Sequence, residues 1–251
     1  MSELTINGRP VTARKGEPLL AVARREGIEI PSLCHHEAVE PSGACRLCLV
    51  EITRPQWDGW SKLVTACLYP VEDGLIVETD SDRVCKARAE VLALLLARSP
   101  HAVEIRKLAT EYGVTGQEYE VDRDGDNCIL CGICTRICQQ LVTGAISRVN
   151  RGVDKEVATP FNEASEVCIG CLACARSCPT AAIQFSEEGA ERTIWGKTFE
   201  LIPCQVCRTP TVTREQAEWV EKSKGIPVDE QYICDRCKAT ATAAAYRKIA
   251  W

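Results

Sequence analysis

Cysteine is where this sequence concentrates its chemistry: 17 of 251 residues, against three histidines and one methionine. Sixteen of them fall into sets of regular spacing. Thiols grouped in this way serve disulfides, zinc sites or iron–sulfur clusters. The opening residues, MSELTINGRP, show no basic-then-apolar leader, and no run approaches the roughly 18 apolar residues of a membrane span. The chain is therefore expected to be soluble, cytoplasmic and not inserted in a membrane. Thiols stay reduced in that compartment, which makes metal the default reading. The net charge of −5 comes from interspersed acids and bases, so no nucleic-acid partner is expected.

The most specific pattern occurs twice. Cys128-x2-Cys131-x2-Cys134-x3-Cys138 and Cys168-x2-Cys171-x2-Cys174-x3-Cys178-Pro179 both match the bacterial ferredoxin run. Three close thiolates hold three corners of a [4Fe–4S] cube, and the fourth cysteine of each run reaches the other cube. The expected sets are Cys128, Cys131, Cys134 with Cys178, and Cys168, Cys171, Cys174 with Cys138. Zinc would want two separated pairs instead.

The first set, Cys34-x10-Cys45-x2-Cys48-x18-Cys67, follows plant-type logic, in which a loop supplies three ligands and a later strand the fourth. The ten-residue first gap exceeds the plant-type four, but its setting favours [2Fe–2S] over zinc. The last set, Cys204-x2-Cys207 and Cys234-x2-Cys237, has zinc-ribbon grammar with a long 26-residue gap. Zinc and a further [4Fe–4S] cluster both fit it. Cys85 is left over and reads as a small buried apolar residue on a helix.

The elements that must carry these residues give an α+β chain. Leu4–Ile6 and Val11–Ala13 flank Asn7-Gly8, a strong hairpin signal. A helix opens after Pro18 and stops at Gly27, and strands are expected at Cys48–Ile52, Leu63–Cys67 and Leu75–Glu78. Residues 1–79 thus read as a β-grasp [2Fe–2S] domain. Residues 80–119 read as a helical hairpin linker, with Asp82 as cap of the first helix and a second helix near 102–112. Residues 120–192 form the twin-cubane, ferredoxin-like domain. In residues 193–251 Thr213-x-x-Gln216 opens a helix that ends near Gly225, and an alanine-rich helix near 238–248 finishes a small domain with two CxxC pairs.

Cys34-His35-His36, followed by Pro41-x-Gly43-x-Cys45-Arg46-Leu47-Cys48-x-Val50-Glu51, resembles the N-terminal module of the large iron–sulfur subunit of complex I. It also resembles the small diaphorase-side subunit of NAD-linked hydrogenases and the N-terminal cluster domains of [FeFe] hydrogenases. Cys128-Ile-Leu-Cys131-Gly-x-Cys134, Gly144-Ala-Ile and Val149-Asn-Arg-Gly152 agree with the twin-cubane module of those proteins, so the resemblance covers about residues 3–185. There are three departures. Extra residues lie around Arg54–Trp60. Cys138 is followed by Gln139 rather than proline. The segment Pro100–Tyr112, where the family places a His-plus-three-Cys cluster, holds His101 and no cysteine, so that cluster is expected to be absent. His35, His36 and His101 read as loop histidines, and Asp122, Asp124 and Asp126 as a solvated acidic loop.

No G-x-G-x-x-G loop, Walker A pattern or H-E-x-x-H motif is present. The resemblance implies a non-catalytic electron-transfer subunit. Its partners would be a flavin-containing, NAD(P)H-oxidising subunit and a hydrogenase- or formate dehydrogenase-type catalytic subunit. The rivals are the iron–sulfur subunit of a succinate dehydrogenase or fumarate reductase, and a free-standing redox sensor. The ten-residue first gap and the two complete runs argue against the former.

Overall fold

A computed structural model describes residues 1–116, 119–121 and 125–247. The chain divides into two compact units, each built from separated segments. One comprises Met1–Ile137, Arg148–Val157 and Ser177–Ala182, the other Cys138–Ser147, Ala158–Arg176 and Ile183–Trp251.

The first unit opens with the hairpin of β1 (Ser2–Ile6) and β2 (Arg9–Ala13). Asn7 and Gly8 both have positive φ, 50° and 75°, as a two-residue turn matching strand twist requires. The short helix α1 (Leu19–Arg25) follows, then β3 (Leu49–Thr53), β4 (Ser61–Thr65) and β5 (Leu75–Glu78). The sheet order is β2-β1-β5-β3-β4, with β1 and β5 parallel and the other pairs antiparallel. Leu19, Leu20, Val22 and Ala23 of α1 bury against Ile6, Val50, Ile52, Leu75 and Val77, a β-grasp core that also takes in Cys48 and Cys67. The extra residues near Arg54–Trp60 are the connection between β3 and β4. There Trp57 and Trp60 sit 5.0 Å apart and Lys62 lies over Trp57 at 5.2 Å, outside the cysteine set.

Helices α2 (Asp82–Arg98) and α3 (Val103–Glu111) form the expected hairpin. The cap of α2 is Ser81 rather than Asp82: the Ser81 Oγ accepts the Val84 N–H at 3.3 Å, and Asp82 is the first helical residue, where it complements the dipole. Cys85 is half-exposed rather than buried as expected, because it lies in the first turn of α2 with its thiol directed at the Asp80 carbonyl at 3.6 Å. Arg88 is fully buried on α2. It donates to Leu49 O at 2.6 Å and to the Tyr112 hydroxyl at 2.7 Å, and pairs with Asp80 at 3.3 Å. One guanidinium thus ties both helices to the strand that leaves Cys48.

Next come α4 (Ile133–Leu141), the paired strands β6 (Ser147–Val149) and β7 (Glu156–Ala158), and the single turn α5 (Ala173–Arg176). The second unit is built on an antiparallel sheet with order β11-β10-β9-β8: β8 (Phe185–Glu188), β9 (Glu191–Ile194), β10 (Lys197–Pro203) and β11 (Pro210–Thr213). The boundary expected after residue 192 falls inside β9, because β8 and β9 pair along their length and continue into β10. Thr213 caps α6 (Arg214–Lys224) as expected, accepting the Gln216 N–H at 3.1 Å, and Gly225 closes it at φ 69°. The single turn α7 (Val228–Gln231) precedes α8 (Asp235–Arg247). The last helix therefore begins earlier than expected, and position 248 lies outside the described residues. Among the described residues no helix is long and apolar enough to cross a membrane.

Replacing Arg88 with Met should leave the Leu49 carbonyl and the Tyr112 hydroxyl without their buried donor. Roughly 2–4 kcal/mol of stability should be lost, read as a lower denaturant midpoint with little change in slope.

Candidate metal and cluster centres

All 17 cysteines are free thiols. Cys34, Cys45, Cys48 and Cys67 are buried at one end of the β-grasp core, the first three delivered by the irregular segment between α1 and β3 and the last by the turn after β4. Contacts with the Cys45 and Cys67 thiols hold Cys34 far below the ordinary thiol range. The same contacts push Cys45 and Cys67 up, and the Cys67 thiol lowers Cys48 to about 7. A thiolate hydrogen-bonded by neighbouring thiols has the donor chemistry that a metal centre uses. The Leu33 N–H adds a bond to Cys45 Sγ at 3.4 Å. His35 and His36 serve the loop itself: the Arg24 guanidinium meets His35 Nδ1 at 3.0 Å, and the Ala38 N–H donates to His36 Nδ1 at 3.2 Å. Burial, followed by Arg24, lowers the His35 pKa. His101 is exposed in the turn between α2 and α3.

The two repeated runs share one backbone shape. The second residue after the first cysteine is left-handed in both, Leu130 at φ 54° and Gly170 at φ 65°. The residue after the middle cysteine is left-handed too, Gly132 at 69° and Leu172 at 59°. Each run therefore places one glycine and one leucine at the two positions, in opposite order. A leucine there costs roughly 1–2 kcal/mol, and the conformation turns successive N–H groups inward as an anion-binding concavity. The sulfurs receive them: Leu130 N–H serves Cys128, Ile133 serves Cys131, Gly170 serves Cys168 and Ala173 serves Cys171. Gly170 has no substitute in the second run, since a Cβ there would lie 2.8 Å from the Phe199 ring.

Burial raises Cys128 and Cys131, the latter to about 11, and a nearby charge on Cys178 raises both further. Burial likewise raises Cys168, Cys171 and Cys174, the last to about 11, with the charge on Cys138 adding to all three. Cys138, Cys168, Cys171 and Cys174 line one cavity together with Ile146 and Trp195. Cys178 falls in the same compact unit as Cys128, Cys131 and Cys134. Asp126 accepts the Cys128 N–H at 2.8 Å and lies 3.7 Å from Arg98, whereas Asp122 and Asp124 lie outside the described residues.

The β9–β10 hairpin brings residues that the spacing of cysteines does not point to. Trp195 and Gly196 form its two-residue turn at φ 52° and 71°, and the indole Nε1–H reaches Cys174 Sγ at 3.5 Å. Lys197 Nζ donates to Cys168 O at 2.8 Å, and the buried Arg192 donates to Gly170 O at 2.7 Å. The one sequence signal for them is the pair Trp195-Gly196, with tryptophan where a turn of this type favours asparagine or glycine.

Cys204, Cys207, Cys234 and Cys237 are gathered more tightly. Their sulfurs all lie within 4.8 Å of one another, and Cys207 and Cys234 are 3.7 Å apart. Among the described residues no other group of metal-ligating side chains is so compact. The backbone N–H groups of Cys207 and Cys234 lower Cys204 to about 6, while contact with Cys234 and Cys207 pushes Cys237 up to about 12. Four thiolates at the roughly 2.3 Å radius of tetrahedral zinc stand about 3.8 Å apart. An iron–sulfur cube, with its own atoms in between, spreads them to about 6 Å.

The chain is a mixed α+β protein with 2Fe-2S and 4Fe-4S cluster-binding domains. Residues 1–82 match the family of the 2Fe-2S iron-sulfur cluster binding domain and residues 165–184 that of the 4Fe-4S binding domain. The chain is 33% identical to the NADP-reducing hydrogenase subunit HndD of Solidesulfovibrio fructosivorans, over 73% of this chain and 36% of that protein. It is 30% identical to the NADPH-Fe(3+) oxidoreductase subunit alpha of Geobacter sulfurreducens, over 83% of this chain and 27% of that protein. It is also 30% identical to the mitochondrial NADH-ubiquinone oxidoreductase 78 kDa subunit of Candida albicans, over 62% of this chain and 25% of that protein. The resemblance expected from the sequence therefore holds. The chain spans about a third or less of the length of these curated relatives. A solved chain of an NAD+-reducing [NiFe]-hydrogenase in the H2-reduced state shares the fold, with a TM-score of 0.61 and 23% identity over 72% of this chain and 86% of that one.

Replacing Trp195 with Phe removes one hydrogen bond to the Cys174 sulfur. Such a bond is worth about 0.5–1.5 kcal/mol, or roughly 20–60 mV for one electron. One [4Fe–4S] midpoint should fall by up to that amount in a redox titration followed by EPR, with the remaining signals unmoved.

Proposed function

We propose that this chain is the iron–sulfur relay of a larger cytoplasmic oxidoreductase. It would pass single electrons between a flavin-containing, NAD(P)H-oxidising partner and a catalytic partner of hydrogenase or formate dehydrogenase type. The observation that carries this reading is the donor chemistry itself: sixteen cysteines in four sets of four, in a chain where no acid–base or phosphate-binding motif accompanies them.

Cys34, Cys45, Cys48 and Cys67 would hold a [2Fe–2S] cluster. Cys128, Cys131, Cys134 and Cys178 would hold one [4Fe–4S] cluster, and Cys168, Cys171, Cys174 and Cys138 the other. Such clusters supply one-electron transfer with little change in geometry. The chain's own residues do three things toward it. Burial excludes water, inward N–H groups stabilise thiolate charge, and Trp195 adds a donor at Cys174. Support for the crossed ligand sets comes from the cavity that groups Cys138 with the second run and from the charge of Cys178 felt by the first.

Cys204, Cys207, Cys234 and Cys237 would hold a single zinc ion in place of a further cluster. The 3.7 Å edge between Cys207 and Cys234 supports this, being that of one tetrahedral ion. Zinc has no redox chemistry, so this site would staple β10 to α8 rather than join the relay.

Anaerobically prepared protein should contain about 10 Fe and one Zn per chain, from one [2Fe–2S], two [4Fe–4S] and one four-cysteine zinc site. About 14 Fe without zinc would overturn the zinc assignment, and fewer than about 8 Fe the twin-cubane one. Native gel filtration addresses the partners. Elution with flavin- and substrate-handling subunits is the expected result, and a fully loaded, partnerless monomer would favour a free-standing redox module.

A further inference from the structure

Arg136 lies on α4, inside the first ferredoxin-type run, and is only 8% exposed. Its guanidinium is spent on backbone carbonyls. Nε donates to Gly132 O at 3.1 Å, Nη1 to Glu40 O, and Nη2 to Cys34 O at 2.8 Å and, more weakly, to Cys131 O at 3.5 Å. Cys34 belongs to the first cysteine set and Cys131 to the second. One side chain therefore spans two sets that are about a hundred residues apart in sequence, all within the same compact unit.

The charge of this side chain is unbalanced. Arg98, the other arginine at this run, donates to Cys128 O at 3.1 Å but has Asp126 3.7 Å away. Among the described residues no carboxylate is paired with Arg136. A buried cation without an anion costs several kcal/mol, and carbonyl dipoles offset only part of that. The cysteine sets supply the missing anion: four thiolates around an oxidised core of about +2 leave each centre near −2, and reduction adds a further negative charge.

We infer that Arg136 is the shared counter-cation and brace of the [2Fe–2S] centre and the adjoining [4Fe–4S] centre. It holds the Cys34 loop against the Cys131 loop and favours the reduced state of both. This rests on the relay reading for the two centres. Arg136 is a positioning residue, acting through the carbonyls of two ligands.

The test uses the full chain, purified anaerobically, as wild type, R136K and R136Q. Iron and sulfide are counted, both midpoints are titrated by EPR, and the relaxation of the reduced [2Fe–2S] signal is measured with the cubanes oxidised and reduced. R136Q should make reduction of both centres about tenfold less favourable, a fall of about 60 mV at 59 mV per decade. R136K, which keeps the charge but not the fork, should recover most of that shift. Both variants should weaken the enhancement of [2Fe–2S] relaxation by the reduced neighbour. Unchanged midpoints in fully loaded R136Q would overturn the inference, as would equal shifts in R136K and R136Q. If R136Q loses a centre, R136K decides: wild-type midpoints there support the counter-cation and lowered ones overturn it. A wild-type protein without both EPR signals would sink the relay reading instead.

Discussion

A thiolate is poorly tolerated away from water, and this chain buries or half-buries sixteen cysteines in groups of four. Left as thiols they share protons: Cys34 takes the charge while Cys45 and Cys67 retain hydrogen, and desolvation keeps Cys131 and Cys174 protonated to about pH 11. The surrounding structure answers that constraint. Left-handed residues turn N–H groups toward sulfur, arginines and a lysine engage the carbonyls of the cysteine loops, and strands are placed where they can deliver these donors.

The two ferredoxin-type runs meet the constraint with the same backbone and different neighbours. In the first, glycine follows the middle cysteine and the support comes from Arg98 and Arg136. In the second, glycine precedes it because Phe199 fills the space a side chain would need, and the support comes from the β9–β10 hairpin. Equal spacing in sequence therefore does not make equal electrostatic environments. A guanidinium acts on a centre as a whole, whereas an indole N–H acts on one sulfur.

The cysteine sets and the β-grasp order are legible in the sequence because their signals are local: fixed spacings, the Asn7-Gly8 turn, and Thr213 three residues before Gln216. The helical hairpin is legible for the same reason, although Ser81 takes the cap expected of Asp82, adjacent residues of similar capping strength. The sheet of the second unit is not. Three of its strands have only four residues, β8 and β9 carry charges such as Arg192, β10 alternates only over Thr198–Leu201 before Pro203, and Trp195-Gly196 resembles a domain boundary more than a turn. Arg136 escapes for a different reason. Its partners, Cys34 and Glu40, lie about a hundred positions away, and no spacing rule connects a guanidinium to carbonyls at that range. Zinc against a cluster at the last set is a question of a few ångströms between sulfurs, which spacing along the chain does not encode.

The interleaving of segments has a consequence for how the protein is made. The first unit lacks Ser177–Ala182 until those residues emerge, and the second begins at Cys138 but continues to the end of the chain. At about 5–20 residues per second, the stretch from Cys138 to Arg176 takes several seconds to synthesise. The β-grasp sheet is whole long before then and can fold on the ribosome. Cys128, Cys131 and Cys134, by contrast, wait in the open for the last segment of their own unit. The length of that interval is set by the order of the chain, because the first unit closes only once Ser177–Ala182 have been made.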